Sequence, residues 1–249
     1  MAGVHLREVL RNPWTLFAGL ALVGISLAFS GRGSAVGLVS LVAVLQLYLP
    51  PLTVVVAAPL LTRRETWAFW AALPRPAGAA YRGATVGIAV GLLLPLLAGT
   101  GAAAAILGLG ALELLLLIAT VAALVVLWTC TVSFLSALTL DPTRAMALGL
   151  AAWALLVLAY GPTVVGLAVA FADYPLGPFM LLAIALNPTE LLRVGLLQAL
   201  GVPVLVGPVG KLVVDTVPNG GFGLGVAAVL MLSALLLWLS GLWFARRDR

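Results

Sequence analysis

The sequence predicts an all-α polytopic membrane protein. Six transmembrane helices are expected, with an N-terminal interfacial helix before them and short extracytoplasmic helices between spans five and six. Three observations lead there. The 249 residues are 63% hydrophobic and only 8% charged, against about 25% charged for a soluble domain. The mean hydropathy is +1.22, so there is too little polar surface to cover a water-soluble globule, and lipid must be the solvent. The charges, finally, cluster at the ends of apolar runs. The net charge of +5 therefore carries topology and is no nucleic-acid signature.

Residues 1–13 place Arg7, Glu8 and Arg11 among Val4, Leu6, Val9 and Leu10 and end at Asn12-Pro13. This pattern predicts an amphipathic helix lying at the interface. No A-x-A cleavage signal follows, so the first apolar run is expected to stay as a span. That span covers about 14–30 and closes at Gly31-Arg32-Gly33-Ser34; the second covers 35–61 and contains Pro50-Pro51. The two prolines predict a kink packed against neighbouring helices, with Gln46 and Tyr48 bonded to a neighbour or lining a polar seam.

The stretch 62–82, TRRETWAFWAALPRPAGAAYR, is expected as a cytoplasmic docking loop. Thr62 and Glu65 have the spacing of a capping box. The short helix they would start carries Trp67, Phe69, Trp70 and Leu73, and Pro74 and Pro76 would stop it. Indoles with flanking guanidinium groups suit the membrane–water boundary.

From Gly83 to Leu138 the chain is almost wholly apolar over 56 residues, about 84 Å as helix and hence two spans across a core of about 30 Å. They are placed at 83–104 and 112–138, with Gly99–Gly110 and Glu113 marking the turn. Gly83, Gly87 and Gly91 stand four apart, which predicts close helix packing. Asp141 as N-cap and Pro142 at N1 begin the fifth span, 142–172, broken at Tyr160-Gly161-Pro162. Residues 173–221 hold six prolines and read as outer or re-entrant pieces. Within them Asn187 is an N-cap, Pro188 is N1, Glu190 stands at N3 within pairing distance of Arg193, and Gly201 ends the helix. The sixth span, 222–245, ends in Arg246-Arg247-Asp248-Arg249.

Six spans put both termini on one side. Ten of the thirteen basic residues fall there, and Arg32, Arg193 and Lys211 fall opposite, so the termini and the 62–82 loop are expected to be cytoplasmic.

Several chemistries lack their residues. His5 is the sole histidine, which argues against a Ser–His dyad and an H-E-x-x-H zinc site. Around Gly210-Lys211, Leu205 and Leu212 occupy positions where a phosphate loop needs Gly and Ser or Thr. ATP hydrolysis by this chain is not expected. No carboxylate lies near mid-span for ion coupling, and one cysteine with four scattered methionines makes no copper site. No catalytic residue, metal site or cofactor is therefore assigned to the chain.

This pattern resembles, over the whole chain, the membrane subunit of ABC transporters of the ABC-2 (type V exporter) kind. Leu186-Asn187-Pro188-Thr189-Glu190-Leu191-Leu192-Arg193-Val194 is similar to the LNPTD-x-x-R stretch of the Nos permeases, which serve nitrous oxide reductase maturation. The runs 6–13 and 148–153 look similar too. In the docking loop, Arg64-Glu65-Thr66-Trp67 lacks the family's Gly-Thr-Leu core, while Leu73-Pro74 and Arg75 are kept. The resemblance implies an inner-membrane homodimer with a separate ABC ATPase, which binds ATP and Mg, docked on Arg63, Arg64, Glu65, Trp67, Trp70, Pro74 and Arg75. It further implies a periplasmic partner on Asn187, Pro188, Thr189, Glu190 and Arg193, serving copper or sulfur delivery. The competing readings are an ABC-2 exporter of a drug, lipid or polysaccharide, a membrane enzyme using Glu113 or Asp173, and a structural anchor.

Overall fold

The computed structural model describes residues 2–32, 34–63, 67, 76–171, 173, 177–201 and 221–247. Every regular element among them is helical. Five helices, Val36–Thr62, Ala77–Leu107, Ala111–Thr139, Pro142–Leu167 and Gly221–Arg246, are long and apolar enough to cross a bilayer. A sixth is reached if Gly3–Arg11 and Pro13–Phe29, which meet at 61°, count as one bent span. The chain is thus a multi-pass helical membrane protein by length and hydropathy. It divides into two compact units, Met1–Ala151 with Leu230–Arg249, and Ala152–Val229.

The first unit begins with α1 (Ala2–Arg11) and α2 (Pro13–Phe29). Asn12 separates them as an N-cap, its Oδ1 accepting from Trp14 N at 3.0 Å, with Pro13 at N1. α1 is amphipathic: His5 and Val9 are buried, while Arg7 and Arg11, also four apart, are exposed. After a 3₁₀ turn at Ser30–Arg32 comes α3 (Ser34–Thr62), which contains Pro50, Pro51 and Pro59. Its 29 residues reach about 43 Å. α4 (Ala77–Leu107) and α5 (Ala111–Thr139) follow, joined by a tight turn with Gly108 left-handed at φ 66°. Asp141 starts α6 (Pro142–Trp153), its Oδ1 accepting from Arg144 N at 2.8 Å.

α2 and α1 pack along α4, and α3 along α5. Between helices in lipid, association depends on close packing more than on water exclusion. A Cβ on Gly19 would lie 2.6 Å from the Pro95 carbonyl oxygen, and one on Gly99 2.5 Å from the Gly19 carbonyl oxygen. Only glycines allow that approach. The expected glycine seam holds at Gly91, where a Cβ would meet Val9 of α1 at 2.8 Å, but not at Gly83, which has nothing within 4 Å.

Thr62 is the last residue of α3, and its hydroxyl donates to the Ala58 carbonyl at 2.8 Å; Glu65, its expected capping-box partner, lies outside the described residues. A threonine in a final turn readily serves the carbonyl four residues back. The expected docking loop ends before Arg82, because Pro76, extended at φ −61°, ψ 122°, is the N-cap of α4. The Ala-rich turn after it then propagates as helix.

In the second unit the predicted break at Tyr160-Gly161-Pro162 is absent. The chain stays helical as a π turn, Ala154–Ala159, running into α7 (Tyr160–Ala170). Pro162 has no N–H and would crowd the carbonyl at 158, and a widened turn just before it removes that clash. α8 (Gly177–Leu186) and α9 (Pro188–Ala199) form a pair, and α9 lies beside the π turn. Gly201, left-handed at φ 71°, stands just past the end of α9 as expected. The last helix, α10 (Gly221–Arg247), contributes its first turns to this unit. There Gly195 approaches Gly221 so closely that a Cβ would lie 2.5 Å from its carbonyl.

Candidate functional site

The expected docking residues are only partly placed. Arg63 and Trp67 are described; Arg64, Glu65, Trp70, Pro74 and Arg75 lie outside the described residues. Arg63 Nη1 donates to Glu8 Oε1 at 3.2 Å, and Glu8 Oε2 sits 3.0 Å from His5 Nδ1. One carboxylate thus ties the exit of α3 to α1. His5 is 1% exposed, and its Nε2 is buried without a hydrogen-bond partner. Burial pushes its pKa below the ordinary 6.5, against the opposing charge and hydrogen bond of Glu8; the N-terminus and Arg63 lower it slightly further. A neutral ring donating from Nδ1 to Glu8 satisfies this geometry.

Trp67 seals the same corner. Its Nε1 donates to the Leu61 carbonyl at 2.8 Å, and its ring centroid lies 4.7 Å from Phe244, 5.2 Å from Tyr81 and 6.5 Å from His5. Phe244 and Tyr81 stack at 4.4 Å. Trp67 therefore sits among side chains of α1, α4 and α10. Beneath it, Tyr81 Oη donates to the Ser133 carbonyl at 2.8 Å. The Ser133 hydroxyl lies 2.8 Å from Thr85 Oγ1 and donates to Ser240 Oγ at 3.2 Å. Hydroxyls linking α4, α5 and α10 replace an apolar seam with directional contacts. What this corner can do is mechanical: a displacement at Trp67 bears directly on three helices. Sequence reasoning found Arg63 and Trp67 but missed His5, Glu8, Tyr81 and Phe244. The i,i+3 spacing of His5 and Glu8 was the one available signal.

The second predicted site lies in the second unit. Asn187 Oδ1 accepts from Thr189 N at 3.1 Å, Thr189 Oγ1 at 2.6 Å and Glu190 N at 3.3 Å, so it is the cap that its sequence position predicts. Its Nδ2 also donates to the Leu156 carbonyl at 2.7 Å, inside the π turn. Asn187 and Thr189 are both buried. Glu190 and Arg193 form the expected pair, bonded through Nε at 3.0 Å and through Nη2, and both stay part-exposed. Pro188 is half-buried. Of the five residues expected to face a partner, surface remains at Pro188, Glu190 and Arg193. An open cavity of about 110 Å³ lies beside the pair, walled by Val164 of α7 and Ala183 and Ile184 of α8, with Tyr160 at its edge. The Tyr160 hydroxyl donates to the Ala183 carbonyl.

Glu113 is committed to capping α5, its Oε2 accepting from Gly110 N at 2.7 Å, and Asp173 is exposed. Among the described residues no group of three or more His, Cys, Asp or Glu side chains is placed to hold a metal. No protein-family model matches the chain, and no curated protein matches it in sequence.

Proposed function

We propose that this chain is the membrane subunit of an ABC-2-type transporter, pairing with a second copy of itself and with separate ATPase subunits that bind ATP and Mg. It has no catalytic role of its own and turns movement of the partner ATPase into movement of its spans. The ATPase docks on the 62–76 segment, with both termini on the same, cytoplasmic side of the inner membrane. The observation that carries this reading is the corner at Trp67. Arg63, just past α3, is bonded to Glu8 of α1, and Trp67 packs on Tyr81 and Phe244, as residues that receive force and pass it to helices require. The finer reading, a Nos-like permease that serves an envelope copper enzyme through a periplasmic partner, is supported by the stretch 186–194 and by Glu190 and Arg193 standing at the surface of α9.

The experiment is purification in mild detergent from the native host, with a search for a co-purifying ATPase whose hydrolysis the chain stimulates. Arg63→Ala with Trp67→Ala should weaken that association while the chain still folds. An intact complex with unchanged ATP hydrolysis in the double variant would overturn the docking assignment. For sidedness, a cysteine at Ala77 should resist labelling from outside intact cells, whereas one at Asn219 should react.

A further inference from the structure

The cavity beside Glu190 and Arg193 sets that pair, proposed above to face a periplasmic partner, against an apolar wall. Its walls, Val164, Ala183 and Ile184, are apolar, and its polar groups among the described residues are one carboxylate, one guanidinium and one phenol. The helices that form the walls carry apolar side chains outward: Val165 and Val169 on α7, Phe179 and Leu182 on α8 are all exposed. Val165 lies in the span-length helix Pro142–Leu167, is exposed and also lines the groove, so the groove is reached by acyl chains there.

The polar rim then selects the head group. Arg193 uses Nε and Nη2 on Glu190, which leaves Nη1 without a protein acceptor among the described residues. A guanidinium in that state is a phosphate ligand. An anionic lipid alone would bring its phosphate against the neighbouring Glu190 carboxylate. A zwitterion matches both charges, with phosphate on Arg193 and ammonium on the second lone pairs of Glu190. An ethanolamine ammonium donates hydrogen bonds there, and a choline group cannot.

We infer that this groove is a binding site for a phosphatidylethanolamine molecule, its head on Glu190 and Arg193 and the upper part of one acyl chain against Val164 and Ile184. The inference stands independently of the transporter reading, because it uses only the second unit and the apolar class of the chain.

The test is lipid retention by the full-length chain. The protein is reconstituted in nanodiscs of phosphatidylethanolamine, phosphatidylcholine and phosphatidylglycerol mixed in equal parts, re-extracted in mild detergent, and its bound lipid measured by native mass spectrometry. Wild type should retain phosphatidylethanolamine above its share. Arg193→Gln should lower that retention about tenfold, the scale of one charge-assisted hydrogen bond. Glu190→Gln should abolish the preference for ethanolamine over choline while leaving total lipid bound. Val164→Trp, which fills the wall and leaves the pair alone, should lower retention of all three. Thermal melts of each variant identify any that has unfolded, and Arg193→Lys, which keeps the charge, should restore part of the retention. Equal retention of the three lipids by wild type would overturn the proposal. So would an Arg193→Gln protein that keeps its lipid but loses a periplasmic protein, which would make the rim a protein-docking surface.

Discussion

Arg63, one residue past the end of α3, donates to Glu8 of α1 at 3.2 Å across 55 positions of sequence. Arg63 is exposed and Glu8 part-exposed, so the pair has the strength of a surface bridge, and its importance lies in what it joins. A double-mutant cycle with Glu8→Ala and Arg63→Ala should give a coupling of about 0.2–1 kcal/mol, measured by thermal or denaturant unfolding in detergent. Trp67 should then become easier to reach by a water-soluble quencher in Glu8→Ala, because its corner loses one of its ties. A coupling near zero together with unchanged quenching would mean that the bridge does not hold the segment.

The histidine under that bridge sets a pH response. Burial lowers the folded-state pKa of His5 from 6.5, so the unfolded chain takes up a proton that the folded chain resists. The contribution of His5 to stability is therefore complete above about pH 6.5 and is lost as pH falls toward the lowered folded value. Melting temperature should decline between about pH 7.5 and pH 5.5, and His5→Gln should flatten that slope. A wild-type curve that rises toward acid would show that the pull of Glu8 outweighs burial.

The apolar architecture was legible in the sequence because hydropathy and length speak directly about spans. Caps were equally plain, and Asp141, Asn187 and Gly201 all stand where their residue types place them. Reading failed where a residue has two local options. Pro162 breaks a helix or sits behind a π turn, and the pattern Tyr160-Gly161-Pro162 does not say which. The corner at Trp67 was half-visible for a different reason. Tyr81, Phe244 and His5 come from distant parts of the chain, and no periodicity links them.

Glycine substitutions separate packing from mere composition. Gly99→Ala puts a methyl 2.5 Å from the backbone oxygen of Gly19, and backbone gives way less than a side chain, so a loss of about 1–3 kcal/mol is expected. Gly83→Ala meets nothing within 4 Å and should stabilise α4 by up to about 1 kcal/mol. Unfolding in detergent should show the two with opposite signs. A neutral Gly99→Ala would mean that α2 and α4 are not in close contact.

The hydroxyl seam makes a sharper case about what polar contacts contribute in lipid. Ser240 Oγ accepts from Ser133 at 3.2 Å and donates to the Leu237 carbonyl at 2.9 Å, so Ser240→Ala removes one bond between α5 and α10. Such bonds are worth about 0.6 kcal/mol on average in membrane proteins, with a maximum of about 1.7. Tyr81→Phe removes the bond to the Ser133 carbonyl but keeps the stack on Phe244, and should cost about 0.5–1.5 kcal/mol. The two variants share Ser133, so their effects should fall short of additive in the double variant.

Asn187 joins two ends of the second unit through different atoms, and substitutions can part them. Oδ1 caps α9, and Nδ2 donates to Leu156 in the π turn. Asn187→Ala loses both. The cap alone is worth about 1 kcal/mol, and losing the part-buried bond to the Leu156 carbonyl adds about 0.5–1.5 kcal/mol. Asn187→Asp keeps a capping oxygen, which also suits the positive N-terminal end of the α9 dipole, but it has no donor and turns a carboxylate oxygen toward the Leu156 carbonyl. If capping were the whole role, Asp would match the wild type. If the contact with Leu156 matters, Asp should be at least as damaging as Ala, and hydrogen exchange should rise at 154–160 in both. A stable Asn187→Asp protein with unchanged exchange there would reduce Asn187 to a helix cap and leave the π turn to Pro162 alone.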